Sequence, residues 1–356
     1  MSGRLIEARS LTKHFPVKGG LFRRQTLGFV KAVEAIAFAI DAEETFGLVG
    51  ESGCGKTTVA NLILLLQTPT DGEILFRNLS LARIATDELQ EYRRAVQAVF
   101  QDPYGALNPR MRVGDIVGEP LHSYGYGRRD RQIRVREVLR AVGLPEESAG
   151  KFPHEFSGGQ RQRISIARAL TLEPALIVLD EPVSSLDVSI RTQILNLLKD
   201  IQREKGISYL LISHDMASVE YMCHRIGVMY LGKLVEVGSA EDVCSRPMHP
   251  YTATLVAAAT PPGRTPPWHM PIIGEVPNPL NAPPGCAFHP RCPYAMPVCG
   301  QAAPALAEVE SQRWVACHLY PDMIHRIDKA SLPTSGSLGV APSPADGDPR
   351  PVDTPS

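Results

Sequence analysis

The chain has 356 residues, with 37 Lys or Arg and 38 Asp or Glu, so its formal net charge is -1. This near neutrality gives no electrostatic reason to expect nucleic acid or an anionic membrane surface as the main partner. Hydrophobic residues make up 44%, which is enough for a sizeable core. No apolar run approaches the roughly 20 residues of a membrane span, and the N-terminus lacks an apolar signal segment, so we expect neither feature.

Proline and cysteine are unevenly distributed and divide the chain near residue 245. Fifteen of the 31 prolines lie between positions 247 and 304, and four of the seven cysteines lie within positions 286–317. We therefore predict three parts: a domain at 1–245, a Cys-bearing extension at 246–330 dominated by extended and turn structure, and a disordered Pro- and Ser-rich tail at 331–356.

The first part has alternating strand and helix patterns, which predict an α/β domain. The continuous apolar runs at 175–179 and 209–213 are typical of parallel strands buried on both faces. The other predicted elements are, in chain order, a strand at 5–8, a loop or hairpin insertion at 17–30, a half-buried strand at 35–40, a strand at 45–49, a helix at 57–66, and a helix with Thr86 as its N-cap.

Residues 50–58 fit the pattern G-x-x-x-x-G-K-[ST] between a predicted strand and a predicted helix, as a phosphate-binding loop requires. Glycine lets successive backbone N–H groups point at phosphate oxygens, and the helix N-terminus adds partial positive charge. We expect Lys56 to reach the β- and γ-phosphates and Thr57 to coordinate Mg²⁺. The alternative is a Gly-rich turn without a ligand. The candidate loop residues are Gly50, Glu51, Ser52, Gly53, Cys54, Gly55, Lys56, Thr57 and Thr58.

Polar side chains follow the two buried strands. Asp180 and Glu181 come after the run at 175–179, and His214 comes after the run at 209–213. Ligands bind at the carboxyl ends of strands in open α/β sheets. Asp180 is therefore a candidate Mg²⁺ ligand, and Glu181 a candidate base for an attacking water. The alternatives are a solvated pair of loop acids and a structural histidine.

Residues 157–163 read Ser-Gly-Gly-Gln-Arg-Gln-Arg, which resembles the signature motif of ATP-binding cassette ATPases. The other family elements are present in the right order. Phe15 matches the aromatic residue that stacks on adenine, Gln101 the Q-loop glutamine, Asp187 the D-loop, and His214 the switch histidine. Independently of the family, Ser157 is a good N-cap, and Gly158 and Gly159 expose backbone N–H groups.

The resemblance implies a P-loop NTPase core with a helical subdomain, two of which sandwich two ATP molecules. It implies Glu181, His214 and Gln101 as catalytic residues and Thr57, Gln101 and Asp180 around Mg²⁺. The signature residues Ser157, Gly158, Gly159 and Gln160, together with Asp187, would face the nucleotide of the partner subunit.

Three positions depart from the family pattern. Glu43 replaces a turn glycine, Phe156 replaces the leucine ahead of the signature, and Ser185 replaces an alanine near the D-loop. None removes an acid, a base or a metal ligand, so we predict a site competent for hydrolysis.

Three segments resemble the oligopeptide/dipeptide importer subfamily: residues 99–109 around Gln101, residues 152–156, and residues 246–251, which contain His-Pro-Tyr. The resemblance implies two permeases that dock just after Gln101, a substrate-binding protein, and a second, identical or homologous ATPase. It implies a location at the cytoplasmic face of the inner membrane. The subfamily also includes nickel and glutathione importers, so the cargo stays open.

Cys286, Cys292, Cys299 and Cys317 are spaced x5, x6 and x17 apart. We expect a reducing compartment, which disfavours disulfides, and four thiolates suit Zn²⁺ or an iron–sulfur cluster. The resemblance favours a four-iron four-sulfur cluster. Zn²⁺, with His289 and His318 as reserve ligands, and unligated thiols remain alternatives.

Other functional classes fit less well. Cassette ATPases of DNA repair carry long coiled coils or large inserts, and those of translation carry two cassettes, whereas this chain has one phosphate loop and one signature. A non-enzymatic binding module is disfavoured because every group required for hydrolysis is present.

Overall fold

The computed structural model describes residues 3–18, 26–101, 103–260 and 274–320. The predicted tail at 331–356 lies outside these ranges. The strands are β1 (Arg4–Lys18), β2 (Thr26–Asp41), β3 (Thr45–Val49), β4 (Asp71–Phe76), β5 (Leu79–Ser80), β6 (Val96–Val99), β7 (Leu176–Asp180), β8 (Ser208–Ser213), β9 (Arg225–Tyr230), β10 (Lys233–Ser239), β11 (Ala307–Glu310) and β12 (Arg313–Val315).

The helices alternate with the strands in the first part of the chain. They are α1 (Lys56–Ile63), α2 (Thr86–Ala95), α3 (Pro103–Ala106), α4 (Val113–Ser123), α5 (Arg128–Ala141), α6 (Gly158–Leu170), α7 (Val188–Lys205), α8 (Met216–Met222), α9 (Ala240–Ser245) and α10 (Pro250–Ala259). None of the described helices is long and apolar enough to cross a bilayer.

An eight-stranded sheet in the order β11-β12-β10-β9-β3-β8-β7-β6 forms the centre of the fold. Its strands β9, β3, β8, β7 and β6 are parallel. Every residue of β3, β7 and β8 is buried, which confirms the prediction made from their continuous apolar runs. The carboxyl ends of β3, β7 and β8 therefore lie side by side at one edge of the sheet.

A second, antiparallel sheet has the order β2-β1-β4-β5. β1 and β2 form a long hairpin in which Phe15 pairs with Val30. The predicted strands at 5–8 and 35–40 lie within these two strands, and the hairpin prediction for 17–30 agrees with the described parts. The apolar residues of β2 share a core with those of β3 and α1, so this sheet covers one side of the phosphate-loop strand.

Helices α4, α5 and α6 pack together as a helical region inserted between β6 and β7. Their apolar faces belong to the same core as β7 and α7. This agrees with the helical subdomain that the resemblance implies, and it places the N-terminus of α6 beside α7.

The extension differs in part from the prediction of extended and turn structure. It begins with a ten-residue helix, α10, because Pro250 at the first turn is compatible with a helix and the His249 ring accepts the N–H of Tyr251 at 3.0 Å. Its hairpin β11–β12 then adds to β10 and lengthens the central sheet. Arg313 on β12 pairs with Glu236 on β10 at 2.8 Å, and both side chains are buried.

Two local predictions require correction, and one departure from the family pattern has a structural consequence. Ala85, not Thr86, is the N-cap of α2, since Thr86 is already its first helical residue. Helix α1 ends at Ile63 rather than at residue 66. Leu65, two residues after this end, has a left-handed backbone that a helix cannot continue through. The turn between β2 and β3 puts Glu43 at φ 63°, the left-handed conformation that favours glycine.

Candidate functional site

The phosphate loop connects β3 to α1 and packs tightly against two neighbouring strands. A Cβ atom at Gly50 would lie 2.2 Å from the carbonyl oxygen of Met229, and one at Gly55 would lie 2.1 Å from that of Ala32. Gly55 also has φ 111°. Glycine is therefore required at both positions, by the close approach of backbone and by the dihedral angle.

Lys56 is buried and turned back onto the loop. Its Nζ donates to the carbonyl oxygens of Gly50 at 2.7 Å and Glu51 at 3.0 Å. An ammonium group has three donors and is strongly attracted to phosphate oxygens. The observed contacts thus satisfy this cation inside the loop.

Thr57 and Asp180 face each other across the start of α1 and the end of β7. The Thr57 Oγ1 lies 3.5 Å from Oδ1 of Asp180. Burial, and then the neighbouring Glu181 carboxylate, raise the pKa of Asp180 above its ordinary value. A divalent cation between these oxygens would offset both costs, and hard oxygen ligands are those that Mg²⁺ prefers. The donor set therefore fits Mg²⁺.

The carboxylate of Glu181 joins the two other predicted catalytic residues. Its Oε1 lies 3.0 Å from Nδ1 of His214, and its Oε2 accepts from Nε2 of Gln101 at 2.9 Å. The Glu181 backbone has φ 48° and its N–H donates to the carbonyl of Ile212 on β8 at 2.9 Å. The structure thus brings together three residues that lie far apart in the sequence, with the acid at the centre.

The signature residues lie apart from this group. Ser157 is the N-cap of α6, as predicted: its Oγ accepts from Gln160 N at 3.4 Å, and Gln160 Oε1 accepts from Ser157 N at 3.0 Å. Gly158 and Gly159 follow, next to Leu186 and Ile190. Asp187 is the N-cap of α7 but makes no side-chain cap bond. None of these residues lines the cavity at the phosphate loop.

A cavity of about 1030 Å³ opens above the phosphate loop. It is lined by the loop, Gln101, Glu181 and His214, so these predicted groups face one space. Phe15 does not line it, whereas Phe29 on the neighbouring strand does and is 55% exposed. The adenine-stacking role of Phe15 stays a prediction.

Sequence reasoning missed one wall of this cavity. Residues 279–283, Gly285 and Ala287 of the extension line it together with Leu255 of α10. Their sequence is rich in proline and carries no recognisable nucleotide motif. They reach the cavity only because the extension folds back onto the phosphate loop, which the sequence does not indicate.

Cys54 has the environment of a structural thiol. It is 4% exposed, and burial raises its pKa above the ordinary value. Since the thiolate is the reactive form, both features predict low reactivity of Cys54 toward thiol reagents.

The four cysteines of the extension are unpaired thiols, and the other three are near enough to Cys317 to influence its charge. Burial, together with the negative charge of the other three, raises the pKa of Cys317 to about 11. Burial likewise raises the pKa of Cys286 and Cys292, and neighbouring backbone N–H groups partly offset this rise. Met296 N–H donates to Cys299 at 3.5 Å.

Amide donors of this kind suit thiolates bound to a metal. Nevertheless, among the residues that the structure describes, no group of three or more Cys, His, Asp or Glu is arranged to hold a metal ion. The expected four-iron cluster and its zinc alternative are therefore not supported by the observed thiol positions.

Family comparisons agree with this architecture. Residues 33–184 match the ABC transporter family, which covers β2 to the region after β7. Residues 235–299 match the oligopeptide/dipeptide transporter C-terminal region, which covers β10 to the third cysteine of the extension.

Two curated relatives align over nearly the whole chain. The probable peptide ABC transporter ATP-binding protein y4tS of Sinorhizobium fredii is 48% identical over 90% of this chain and 91% of its own. The oligopeptide transport ATP-binding protein AppF of Bacillus subtilis is 45% identical over 89% and 97%, respectively.

Solved structures share the fold of the cassette. CbiO1 of Clostridium perfringens, part of the ABC transporter complex cbiONQ, has a TM-score of 0.59 and 26% identity over 68% of this chain and 92% of its own. The dimeric ATP-binding cassette MJ0796 bound to ADP and Pi has a TM-score of 0.58 and 29% identity over 66% and 99%. The chain therefore belongs to the ATP-binding cassette family of ATPases, in its oligopeptide/dipeptide transporter branch.

Proposed function

We propose that this protein is the subunit that hydrolyses ATP to power the import of peptides through a transporter complex. The observation that carries the proposal is the convergence of Glu181, Gln101 and His214 beside the phosphate loop. It occurs in a chain whose extension matches the oligopeptide/dipeptide transporter region. Import of nickel, glutathione or another small solute is the alternative outcome that a transport assay separates.

Nucleotide binding would use the loop as it stands. Backbone N–H groups and the N-terminus of α1 face the phosphates, and Lys56 exchanges the carbonyls of Gly50 and Glu51 for phosphate oxygens. Mg²⁺, when held by Thr57, Asp180 and Gln101, would neutralise phosphate charge. Phe15 is proposed to contact the adenine.

Hydrolysis would centre on Glu181. Its carboxylate accepts a proton from the attacking water while the new bond to the γ-phosphorus forms and the bond to the bridging oxygen of ADP breaks. Gln101 and His214 hold the two carboxylate oxygens, so they fix the direction of the base. Their amide and imidazole groups can also donate to the departing phosphate.

The signature at α6 supports action as a dimer. Ser157, Gly158, Gly159 and Gln160 form a capped helix N-terminus whose anion-binding groups are not used by the chain's own cavity. We propose that they and Asp187 complete the nucleotide site of a second ATPase subunit, identical or homologous. Two permeases, contacted just after Gln101, and a substrate-binding protein would complete the assembly at the cytoplasmic face of the inner membrane.

Transport by the reconstituted assembly tests this function. The chain, its permeases and its second ATPase are placed in proteoliposomes with ATP on the side of the ATPases and the binding protein on the other. Labelled peptide should accumulate with wild type but not with Glu181→Gln. Accumulation of nickel or glutathione without peptide would assign the alternative cargo. ATPase activity that co-purifies with ribosomes or DNA would contradict transport altogether.

We further propose that residues 246–330 form the unit whose four cysteines bind a four-iron four-sulfur cluster, with Zn²⁺ as the alternative. The electrostatic influence of the other three thiols on Cys317 and the amide donor to Cys299 support this. Anaerobically purified protein should contain about four irons with a charge-transfer absorption. Stoichiometric zinc would support the alternative, and the absence of both metals would overturn the proposal.

A further inference from the structure

The second residue of the phosphate loop is held by the extension through two separate contacts. Arg291 donates from NH1 to Oε2 of Glu51 at 2.8 Å and from NH2 to Oε1 at 2.9 Å, a bidentate pair. The backbone N–H of Glu51 donates to the Tyr251 hydroxyl at 2.7 Å. Arg291 and Tyr251 lie 240 and 200 positions away in the sequence. The phosphate loop is thus connected to α10 and to residues 285–300, which carry three of the four cysteines and are called the cysteine segment below.

The Arg291 guanidinium has little freedom to move. Its side chain is 4% exposed, its NH1 also donates to the Tyr230 hydroxyl at 3.3 Å, and the rings of Tyr230 and Phe288 lie 5.8 and 5.7 Å from its central carbon. Phe288 in turn packs against Tyr251 and Tyr230, with ring centroids 5.4 Å apart in both pairs. A planar cation fixed in this way sets the position of the carboxylate that it binds.

Glu51 passes this constraint directly to the phosphate-binding lysine. Its carbonyl oxygen accepts from Lys56 Nζ at 3.0 Å, so its carboxylate, its N–H and its carbonyl are all engaged. Arg291 itself stands between Cys286 and Cys292, one position before the second cysteine. The ion pair between Arg291 and Glu51 therefore links the cysteine segment directly to the phosphate loop.

We propose that Arg291 is a positioning residue of the nucleotide site, which couples the order of the cysteine segment to the conformation of the phosphate loop. The inference rests on the proposed function in taking ATP as the ligand. Coupling between sites is reciprocal. An ordered segment raises the affinity for ATP, and bound ATP stabilises the segment by the same factor.

The full-length chain with Glu181→Gln, which prevents turnover, serves to measure ATP affinity in the presence of Mg²⁺. Adding Arg291→Met should raise the Kd by about tenfold, toward the lower end of the usual range for coupled sites. Arg291→Lys keeps the charge but loses the bidentate geometry, so an intermediate Kd is expected. Glu51→Gln together with Arg291→Met should be no worse than Arg291→Met alone, because both remove one interaction.

Hydrogen–deuterium exchange of residues 285–300 provides a second readout that does not depend on activity. ATP should slow exchange there in wild type and should have little effect with Arg291→Met. In the catalytically intact background, kcat at saturating ATP should change less than KM, since Arg291 touches no reacting group. Arg246→Met is the matched control, because it removes an exposed pair with Asp242 and Glu310 in the same part of the chain.

Unchanged Kd and unchanged protection with Arg291→Met would overturn the coupling, as would equal effects from Arg246→Met. If Arg291→Met fails to fold, Arg291→Lys decides the matter, and a wild-type Kd for it would count against the inference. Failure of the proposed function is distinguishable, because it would appear as loss of peptide transport by wild-type protein, whereas the Kd comparison between variants depends only on ATP binding.

Discussion

Oε1 of Glu181 lies 3.0 Å from Nδ1 of His214, although 33 positions separate the two residues. The contact exists because β7 and β8 are adjacent parallel strands that end at the same edge, with Asp180 paired to Ile212. The left-handed backbone of Glu181 then turns its side chain toward the residue that follows β8. A strained conformation in this position is typical of a functional group that the surrounding fold holds in place.

Replacing Glu181 with Gln should separate ATP binding from hydrolysis. The amide keeps the size of the side chain but cannot accept the proton of water, so turnover should fall by about a hundredfold or more. Phosphate release measures the loss, and size-exclusion chromatography with ATP should show a trapped dimer. Glu173→Gln, an exposed carboxylate on the connection before β7, is the control. Wild-type turnover by Glu181→Gln would rule out this residue as the base.

Replacing Lys56 with Ala should act on binding instead. The change removes the ammonium group that now donates to the carbonyl oxygens of Gly50 and Glu51. A hydrogen bond from such a charged group to phosphate contributes about 1.5–3 kcal/mol to binding. The Kd for ATP should therefore rise by about tenfold or more. Titration with a fluorescent ATP analogue measures it, and an unchanged Kd would exclude Lys56 as a phosphate ligand.

Replacing Glu43 with Gly should stabilise the protein. Glu43 is exposed and has φ 63°, a conformation that costs an L-residue about 1–2 kcal/mol. After the greater flexibility of unfolded glycine is deducted, a gain of about 0.5–1 kcal/mol in the free energy of unfolding remains. Thermal denaturation checks it. The neighbouring residue Ala42 does not have a positive φ, so the control Ala42→Gly should instead lower the free energy of unfolding.

His249 should make the protein sensitive to acid. Burial lowers its pKa from the ordinary 6.5 to about 3, so the folded chain keeps the ring neutral while the unfolded chain binds a proton below 6.5. His249 therefore has no effect on the pH dependence of folding above pH 6.5. Between pH 6.5 and 3 it lowers the free energy of unfolding by about 1.4 kcal/mol for each unit by which the pH falls.

The variant His249→Asn tests this dependence. Asn keeps an N-cap acceptor for Tyr251 N–H but does not titrate in this range. Its stability at neutral pH should be lower, because ring contacts with Phe288 are lost, and the difference from wild type should shrink as the pH falls from 6.5 toward 4. Parallel pH profiles for the two proteins would contradict the assignment.

Replacing Arg313 with Met should undock the extension. The change leaves the carboxylate of Glu236 buried without its cation, while Met248 N–H and His249 N–H still donate to it. Loss of one partner of a buried pair costs about 3–5 kcal/mol. Limited proteolysis should cut near β11 and β12 before the cassette. Adding Glu236→Gln should recover part of the loss, and equal stability of wild type and Arg313→Met would refute the role of the pair.

The sequence was sufficient for the cassette because its signals are local. A glycine pattern between a strand and a helix, and apolar runs that end in Asp180 and His214, depend on residues close together in the chain. The N-cap prediction for Ser157 is likewise local, and the structure confirms it. The N-cap of α2 and the end of α1 were misplaced because propensities do not fix helix ends to the residue.

The chain by itself determined the family and the phosphate-loop pattern, and it predicted the catalytic group, since each depends on residue type at short spacing. Uneven proline and cysteine marked an extension but said nothing of where it docks. Tertiary structure alone decided that β12 joins the central sheet and that Arg291 reaches Glu51 across 240 positions. Such contacts arise from the packing of distant segments and the exclusion of water between them, which no local pattern encodes.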